Sequence, residues 1–250
     1  MIQNFFKHLT GLTYFSFKFI AAVLLPPYEF GEIKKHIKEL GIKSLPLISI
    51  IGFIIGLILT MQSRPILLKF GAAAYLPVMV SISVVRELGP VIGALIVAGR
   101  VSSGIGAELG SMRVTEQIDA LEVSAVDPFN YLVVTRVLAC MIILPVLTVY
   151  LDFLAIFGAY VAITLEASTT WIHYLDTVVF SLTLVDVVPN VLKTIVFGFI
   201  IGIVGSYYGY NTDKGTEGVG KAATISVVIA SFCIIFFDMI LIKVIQFLFE

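Results

Sequence analysis

The chain has 250 residues, of which 59% are hydrophobic and 13% are charged. Its mean hydropathy is +1.04, and so few polar residues cannot cover a soluble globule of this length. The composition therefore excludes a soluble protein and predicts an integral membrane protein. A net charge of -1 without a large basic patch argues against nucleic acid as a partner.

The apolar runs predict an all-α polytopic membrane protein. A transmembrane helix needs ~20 apolar residues to cross a hydrocarbon layer ~30 Å thick, and the runs are long enough for about five crossings. We therefore expect a single domain over residues 1–250, with a transmembrane bundle over residues 44–249.

Residues 1–27 are apolar with interspersed lysines and end at Pro26-Pro27. A cleaved signal peptide is the alternative, but Lys18 interrupts its apolar region and no small-x-small cleavage site follows. We therefore expect an amphipathic helix that lies in the membrane interface. Six of the 16 Lys and Arg residues precede residue 44, which places residues 28–43 in water and the N-terminus in the cytoplasm.

The first crossing is expected at residues 44–63, which carry no charge, and Arg64-Pro65 should end it on the outer side. Residues 71–112 must return, but their length is about twice what one crossing requires at ~1.5 Å per residue. Gly89-Pro90 lies in the middle and should kink or break the helix. We therefore expect a segment that enters, bends and then descends.

The remaining elements alternate between the two sides of the membrane, beginning with a polar cytoplasmic segment at residues 113–128. The elements after it are a third crossing at residues 131–165, an external loop with the interfacial Trp171 at residues 166–185, a fourth crossing at residues 186–210, a cytoplasmic loop at residues 211–221 and a fifth crossing at residues 222–249. This assignment puts ten Lys or Arg residues in the cytoplasm and two outside, in agreement with the positive-inside rule.

Two patterns in the sequence resemble ligand-binding motifs, but we assign neither of them to nucleotide or metal binding. GTEGVGK at residues 215–221 has the spacing of a phosphate-binding loop, but Ala222 lacks the hydroxyl that would hold Mg²⁺, and the motif joins two membrane spans. Its glycines favour a short turn that approaches a partner closely. The three histidines are scattered, so we expect no metal site, and Cys140 and Cys233 should pack as small hydrophobic side chains.

Glycines spaced four residues apart recur in the apolar runs and favour close helix packing, within one chain or between copies. The pairs are Gly52 and Gly56, Gly89 and Gly93, Gly106 and Gly110, Gly198 and Gly202, and Gly205 and Gly209.

Several charged residues lie inside the predicted crossings, namely Arg86, Glu87, Arg100, Glu108, Asp152, Lys193 and Asp238. Each costs roughly 2.5 to 3.5 kcal/mol at the centre of the bilayer, so each should face a cavity, pair or reach the interface. Arg86 and Glu87 suggest a polar site beside Gly89-Pro90 that could meet a lipid headgroup. An ion-pair network that only fixes helix packing is the open alternative.

The polar segment should form a helix over residues 113–127 with two different faces. Its apolar stripe consists of Val114, Ile118, Leu121 and Ala125, and its acidic face consists of Glu116, Asp119 and Glu122. Such a helix can lie against the membrane bundle while it presents carboxylates to a basic or amide-rich groove. A helix that is merely solvated is the alternative.

The stretch VVRELGPVIGALIVAGRVSSGIGAELGSMRVTEQIDALEVSAVDP at residues 84–128 resembles the signature of MlaE/YrbE-type permeases, the membrane subunits of ABC transporters that move lipids with MCE proteins. The resemblance extends over nearly the whole chain. It includes LTMQ at residues 59–62 and the late Asp238.

The resemblance implies that residues 113–127 form a cytoplasmic coupling helix that docks on an ATPase, supported by the loop at residues 215–221. The coupling residues would be Arg113, Thr115, Glu116, Gln117, Asp119, Ala120, Leu121 and Glu122. Two copies of the permease would pair in the inner membrane, two ATPases would bind ATP and Mg²⁺ below them, and MCE proteins would lie outside. The chain itself would hold no cofactor.

The resemblance also implies a lipid pocket between the first two spans of both copies. The residues that match its lining or nearby polar positions are Leu59, Leu67, Phe70, Arg86, Glu87, Lys193 and Asp238. Phe70 lacks the hydroxyl of the tyrosine that a bacterial relative carries there.

We therefore expect a non-catalytic permease that moves phospholipid or a related lipid between the membrane and an MCE protein, powered by a separate ATPase. The rival from another class is an ion-coupled secondary transporter or channel that uses Arg86, Glu87, Asp152 and Asp238. A scaffold that transports nothing is a third alternative.

Overall fold

The computed structural model describes residues 2–24, 29–165, 169–213 and 215–249, and within these ranges the chain is helical and contains no β-strand. The α-helices are α1 Ile2–Val23, α2 Phe30–Lys69, α3 Leu76–Ser83, α4 Gly89–Val97, α5 Ser103–Val114, α6 Gln117–Val123, α7 Thr135–Thr164, α8 Trp171–Ser181, α9 Leu184–Tyr210 and α10 Thr216–Phe249. The predicted all-α class is confirmed.

Within the same ranges, five helical stretches are long and apolar enough to cross a membrane. They cover Phe30–Lys69, Ala73–Val114, Phe129–Thr164, Leu184–Tyr210 and Thr216–Leu248. The predicted number of crossings is therefore confirmed, and the chain is a multi-pass membrane protein.

Helix α2 is longer than the first predicted crossing. It begins at Phe30, so the lysine-rich segment before residue 44 is helical, and it continues through Arg64-Pro65 to Lys69. The helix therefore does not end at Arg64-Pro65, and the point at which the chain leaves the membrane stays a prediction. Pro65 removes one backbone donor, but a helix that opened there would leave more backbone groups without partners, which is costly in lipid.

The second stretch stays helical through Gly89-Pro90, so the break that the sequence allowed does not occur there, and the kink stays a prediction. A π-helical turn at Val84–Leu88 leads directly into α4, and the Gly89 N–H donates to the Val84 carbonyl. Pro90 has no N–H to contribute, and the wider turn before it keeps the chain helical. A second π-helical turn at Ala98–Ser102 joins α4 to α5, and a third at Phe129–Val134 precedes α7.

Glycines bring α2 and α7 into contact backbone to backbone. A Cβ built on Gly56 would overlap the Ala155 carbonyl, and a Cβ on Gly158 would overlap the Phe53 carbonyl. Gly198 on α9 lies in the same way against the Cys140 carbonyl of α7. Close packing of the spaced glycines is thus confirmed within one chain. It places α7 between α2 and α9 at the centre of the bundle.

Substitution of Gly56 by Val should destabilise the protein by about 3 kcal/mol, the upper end of overpacking costs, because carbonyl backbone cannot move aside as a side chain can. The measurement is the thermal unfolding midpoint in detergent. Gly31→Val is the matched control, since a Cβ at Gly31 meets nothing within 4 Å. Equal midpoints for the two variants would contradict this account of the packing.

Helix α1 packs on the bundle through its aromatic residues. The ring of Phe15 lies 5.0 Å from that of Phe129, and Phe19 lies 5.5 Å from Phe199, while Tyr14 is 73% exposed. The predicted amphipathic helix is present, and its position in the membrane interface stays a prediction. Pro26-Pro27, expected to end it, lies outside the described residues.

The segment predicted as a simple external loop contains α8. Trp171 packs edge-on against Tyr160 with ring centroids 4.7 Å apart, and the Tyr174 hydroxyl donates to the Ile156 carbonyl at 3.0 Å. These contacts fold the segment onto α7, which the apolar pattern did not indicate. Glu166, also assigned to this loop, lies outside the described residues.

The second predicted cytoplasmic loop is shorter than expected because α10 already begins at Thr216. Gly215 adopts a φ of 103°, a conformation suited to glycine, and an ion pair of 2.7 Å joins Glu217 to Lys221 one turn later. Most of GTEGVGK is therefore helix rather than turn. Lys214, assigned to the same loop, lies outside the described residues.

Candidate functional site

The π-helical turn at Val84–Leu88 presents Arg86 to the start of α9. The Arg86 Nε donates to Asp186 Oδ1 at 2.6 Å, and Nη2 of the same guanidinium pairs with that oxygen. Asp186 is held by a capping box, in which its other carboxylate oxygen accepts from the Thr183 N–H at 2.8 Å and the Thr183 hydroxyl at 2.6 Å. The helix cap thus fixes the carboxylate that holds Arg86.

Glu87, the next residue, belongs to a second ion-pair group with α9 and α10. The Lys193 ammonium lies 3.0 Å from Glu87 Oε2 and 3.1 Å from Asp238 Oδ1. The side chain of Lys193 is 1% exposed, whereas that of Glu87 is 41% exposed. A buried ammonium needs such partners, because the loss of its hydration costs several kcal/mol.

A cavity of about 370 Å³ opens beside these pairs. Its polar wall consists of Arg86, Glu87, Thr183, Asp186, Asn190 and Gln246. Arg86 is 52% exposed in its side chain, so a cation and the half-exposed carboxylate of Glu87 both face the cavity while Lys193 stays behind them. The cavity wall therefore holds the Arg86 guanidinium beside the carboxylate of Glu87, and a second carboxylate, that of Asp186, is paired with Arg86.

Four of the seven predicted lipid-binding residues meet at this place, namely Arg86, Glu87, Lys193 and Asp238. The sequence left open a polar site and a purely structural ion-pair network, and the structure shows a polar cavity and ion pairs at the same place. The other three residues lie elsewhere in the single chain. Leu59 and Leu67 pack on an apolar cluster that contains Val80 and Tyr174, and Phe70 is 79% exposed at the end of α2.

Sequence reasoning missed Asp186, Asn190 and Gln246 as cavity residues. The spacing Thr183-x-x-Asp186 before an apolar run is a capping-box pattern and could have identified Asp186 as a fixed carboxylate. The sequence contains no comparable signal for Asn190 or Gln246.

The predicted coupling segment is not one helix. Arg113 and Val114 end α5, Glu116 adopts a φ of 58°, and only residues 117–123 form α6. The left-handed conformation at Glu116 turns the chain between the two helices, so the single helix over residues 113–127 was wrong. Ile118 is fully buried as predicted, but Ala125 is exposed and adopts a φ of 59° beyond the helix end.

Arg113 and Asp119 form an ion pair of 2.6 Å across this turn. The Gln117 side chain also donates to the Thr115 hydroxyl at 3.0 Å. Glu116 and Glu122 have no side-chain partner among the described residues, and Ala120 is exposed while Leu121 is half-buried. Glu116 and Glu122 are therefore free carboxylates on the surface of the segment, whereas the Asp119 carboxylate stabilises the turn through its ion pair with Arg113.

The loop before α10 lies beside the same segment. A cavity of about 500 Å³ is lined by Arg113, Glu116 and Asp119 together with Thr212, Asp213 and Gly215. The two segments, both predicted to be cytoplasmic, therefore lie next to each other in the structure.

Asp152, which the ion-coupled alternative invokes, is a separate buried acid on α7. It is 7% exposed, and its Oδ1 has no hydrogen-bond partner among the described residues. It lies against Gly89, where a Cβ would overlap this oxygen.

Comparison with known proteins agrees with this architecture. The Permease MlaE family matches residues 33–244 of the chain. A probable ABC transporter permease protein of Rickettsia typhi is 39% identical over 221 residues, which cover 88% of this chain and 85% of the relative. Another from Synechocystis is 37% identical over 194 residues, with coverage of 78% and 74%.

A further relative has a more specific name. The intermembrane phospholipid transport system permease protein MlaE of Haemophilus influenzae is 33% identical over 216 residues, which cover 85% of this chain and 82% of the relative. Because the family match spans most of the five-span bundle, the chain belongs to the MlaE permease family and is an ABC transporter permease.

Proposed function

We propose that this permease moves phospholipid between the inner membrane and an external MCE protein, with a separate ATPase that binds ATP and Mg²⁺. The observation that carries the proposal is the cavity in which Arg86 and Glu87 stand side by side. The name of the Haemophilus influenzae relative supports phospholipid as the substrate class. The permease makes and breaks no covalent bond and holds no cofactor.

A zwitterionic or anionic headgroup fits the two charges in the cavity. Its phosphate would accept from the Arg86 guanidinium, which binds planar or tetrahedral oxyanions well, and a cationic amine would face Glu87. Arg86 must then exchange Asp186 for the phosphate. Lys193 and Asp238 act behind the cavity, where they hold Glu87 in place.

The proposed pocket is completed by a second copy of the permease. Phe70 is exposed at the end of α2, and Leu59 and Leu67 lie on the same helix, so a paired chain would bring these apolar side chains to the lipid. In this proposal the N-terminus is cytoplasmic and residues 113–127 rest on the ATPase. ATP closes the ATPase dimer, the coupling segment transmits that closure, and the pocket expels the lipid.

The test is native mass spectrometry of the purified complex, which gives bound lipid and subunits together. We expect Arg86→Gln to lower the amount of retained phospholipid about tenfold, since a charge-assisted contact contributes roughly 1.5–3 kcal/mol. Asp186→Asn should retain at least as much as the natural chain, because a competitor for Arg86 is weakened. Lys69→Gln is the control, as Lys69 is exposed outside the cavity. Unchanged retention by Arg86→Gln contradicts the proposal.

The unpartnered Asp152 carboxyl oxygen favours ion coupling as a second candidate for the energy source of this ABC transporter permease. The two candidates differ in their source of energy. We expect lipid transport by the reconstituted complex to persist when a proton gradient is collapsed and to stop when the ATPase is inactivated. The opposite pair of results would support ion coupling.

A further inference from the structure

A second polar cavity, of about 260 Å³, lies where the first parts of α2, α5 and α7 meet. It shares no lining residue with the cavity at Arg86. Arg100, on the second π-helical turn, lines it and is 14 positions after Arg86 along one helical stretch, which is about 21 Å at ~1.5 Å per residue. The two cavities are therefore separate places in the membrane bundle.

Arg136 forms the inner wall of this cavity and is only 4% exposed. Its Nη2 donates to Glu108 Oε1 at 2.7 Å, and its Nη1 donates to the Leu132 carbonyl at 2.8 Å. The charge of Arg136 is thus balanced by Glu108, and this pair leaves no net charge in the cavity.

The other charged residues of the cavity wall give it an excess of positive charge. Lys43 and Arg100 both line it, and neither forms an ion pair with any carboxylate that the structure describes. Glu39 is the other acid in the wall, so three cations face two carboxylates and one positive charge is in excess before His36 is counted. A cavity lined by an excess of unpaired cations attracts an anion.

Hydrogen-bond donors in the same wall also lack acceptors. The Ser44 hydroxyl is on a side chain that is 2% exposed, and neither it nor the Arg136 Nε–H has a partner among the described residues. A buried donor without an acceptor costs ~1–3 kcal/mol, so such groups usually have a ligand or water. A tetrahedral oxyanion bound in the cavity would provide several acceptor oxygens for unpartnered donors of this wall.

We propose that this cavity binds a phosphate-bearing anion through Lys43, Arg100 and the inner wall at Ser44 and Arg136. Two ligands carry such a phosphate group, namely an anionic phospholipid in the adjacent leaflet and free inorganic phosphate. The site is independent of the lipid cavity at Arg86 and would bind its anion whether or not that cavity carries the transported lipid.

Gly104 gives a way to fill the site without disturbing the fold. It lies in the cavity wall, and a Cβ built there meets nothing within 4 Å. Gly104→Leu therefore places a side chain in the cavity space while it improves helix propensity. Gly31→Leu is the matched control, because Gly31 has the same free space and does not line the cavity.

The first measurement uses the whole complex in nanodiscs of phosphatidylcholine that contain a small fraction of phosphatidylglycerol. All variants carry Arg86→Gln, so that the other cavity contributes little. Native mass spectrometry should show one more phosphatidylglycerol per permease chain for Gly31→Leu than for Gly104→Leu. Arg100→Gln should weaken this binding about tenfold, as expected for the loss of a charge-assisted contact.

The second measurement uses radiolabelled inorganic phosphate and nanodiscs without phosphatidylglycerol. Phosphate binding that Gly104→Leu removes supports the site with a free anion as ligand, and its displacement by phosphatidylglycerol identifies the lipid as the preferred source. Binding of phosphatidylglycerol alone, lost in Gly104→Leu, supports the lipid source directly. If Gly104→Leu and Gly31→Leu bind both probes equally, the proposal is overturned.

Discussion

Lys193→Met should lower lipid transport at least tenfold and reduce the free energy of unfolding by about 3–5 kcal/mol, the cost of removing one partner from a buried ion pair. Lys193 is the only cation joined by the structure to Glu87 and Asp238 among the described residues. Without it, the carboxylate of Asp238, which is 11% exposed, stays buried without a counter-charge, and Glu87 is no longer held at the cavity.

The same experiment has two internal comparisons. Lys243→Met removes a cation near the end of α10 and should change stability by no more than about 0.5 kcal/mol. The double change Lys193→Met with Asp238→Asn removes the buried charge together with its partner, so part of the lost stability should return. If Lys193→Met unfolds at the same temperature as Lys243→Met, the ion-pair group does not have the structural importance we assign to it.

Reversal of Glu116 and Asp119 to Lys should abolish copurification of the ATPase and ATP-dependent transport. Glu116 is a free carboxylate on the surface of the coupling segment, and Asp119 holds that segment through Arg113 at 2.6 Å. The double reversal changes the surface charge and also replaces the carboxylate beside Arg113 with an ammonium, so that like charges repel where an ion pair stood. The measurements are subunit content after affinity purification and transport in proteoliposomes.

Glu29→Lys with Glu32→Lys is a matched double reversal near the start of α2, on the same predicted side of the membrane. It should leave the ATPase bound. Wild-type ATPase content and transport in the Glu116 and Asp119 variant would rule out the proposed role of the coupling segment.

The sequence predicted the number of crossings because a membrane requires long apolar helices, and it singled out Arg86 and Glu87 because charge in lipid is costly. It could not predict their partners. Arg86 and Glu87 are adjacent, yet they pair with different residues of α9, and the choice depends on how the π-helical turn faces that helix.

The predicted coupling segment shows a second kind of structural detail that the sequence pattern does not indicate. Helical periodicity treats residues 113–127 as continuous, and nothing in the residue type of Glu116 indicates a left-handed backbone. The buried Ile118 was predictable from the apolar stripe, whereas the turn before it follows from the packing of α5 and α6 on the bundle. The sequence also did not indicate that α2 continues past Pro65 to Lys69. In lipid, unpaired backbone groups cost more than the helix propensity of proline suggests.

Arg86 and Arg100, which line different cavities, both lie on π-helical turns of the same stretch. Such a turn contains one residue more than an α-helical turn, and the extra residue can pass to a neighbouring position by exchange of backbone hydrogen bonds. One step of this kind rotates the side chains it passes by about 100° around the helix axis, since an α-helix has ~3.6 residues per turn. A shift of either turn by one residue would therefore rotate its arginine away from the anion that we propose for that cavity, while the glycine contacts between α2 and α7 would keep those two helices fixed to each other.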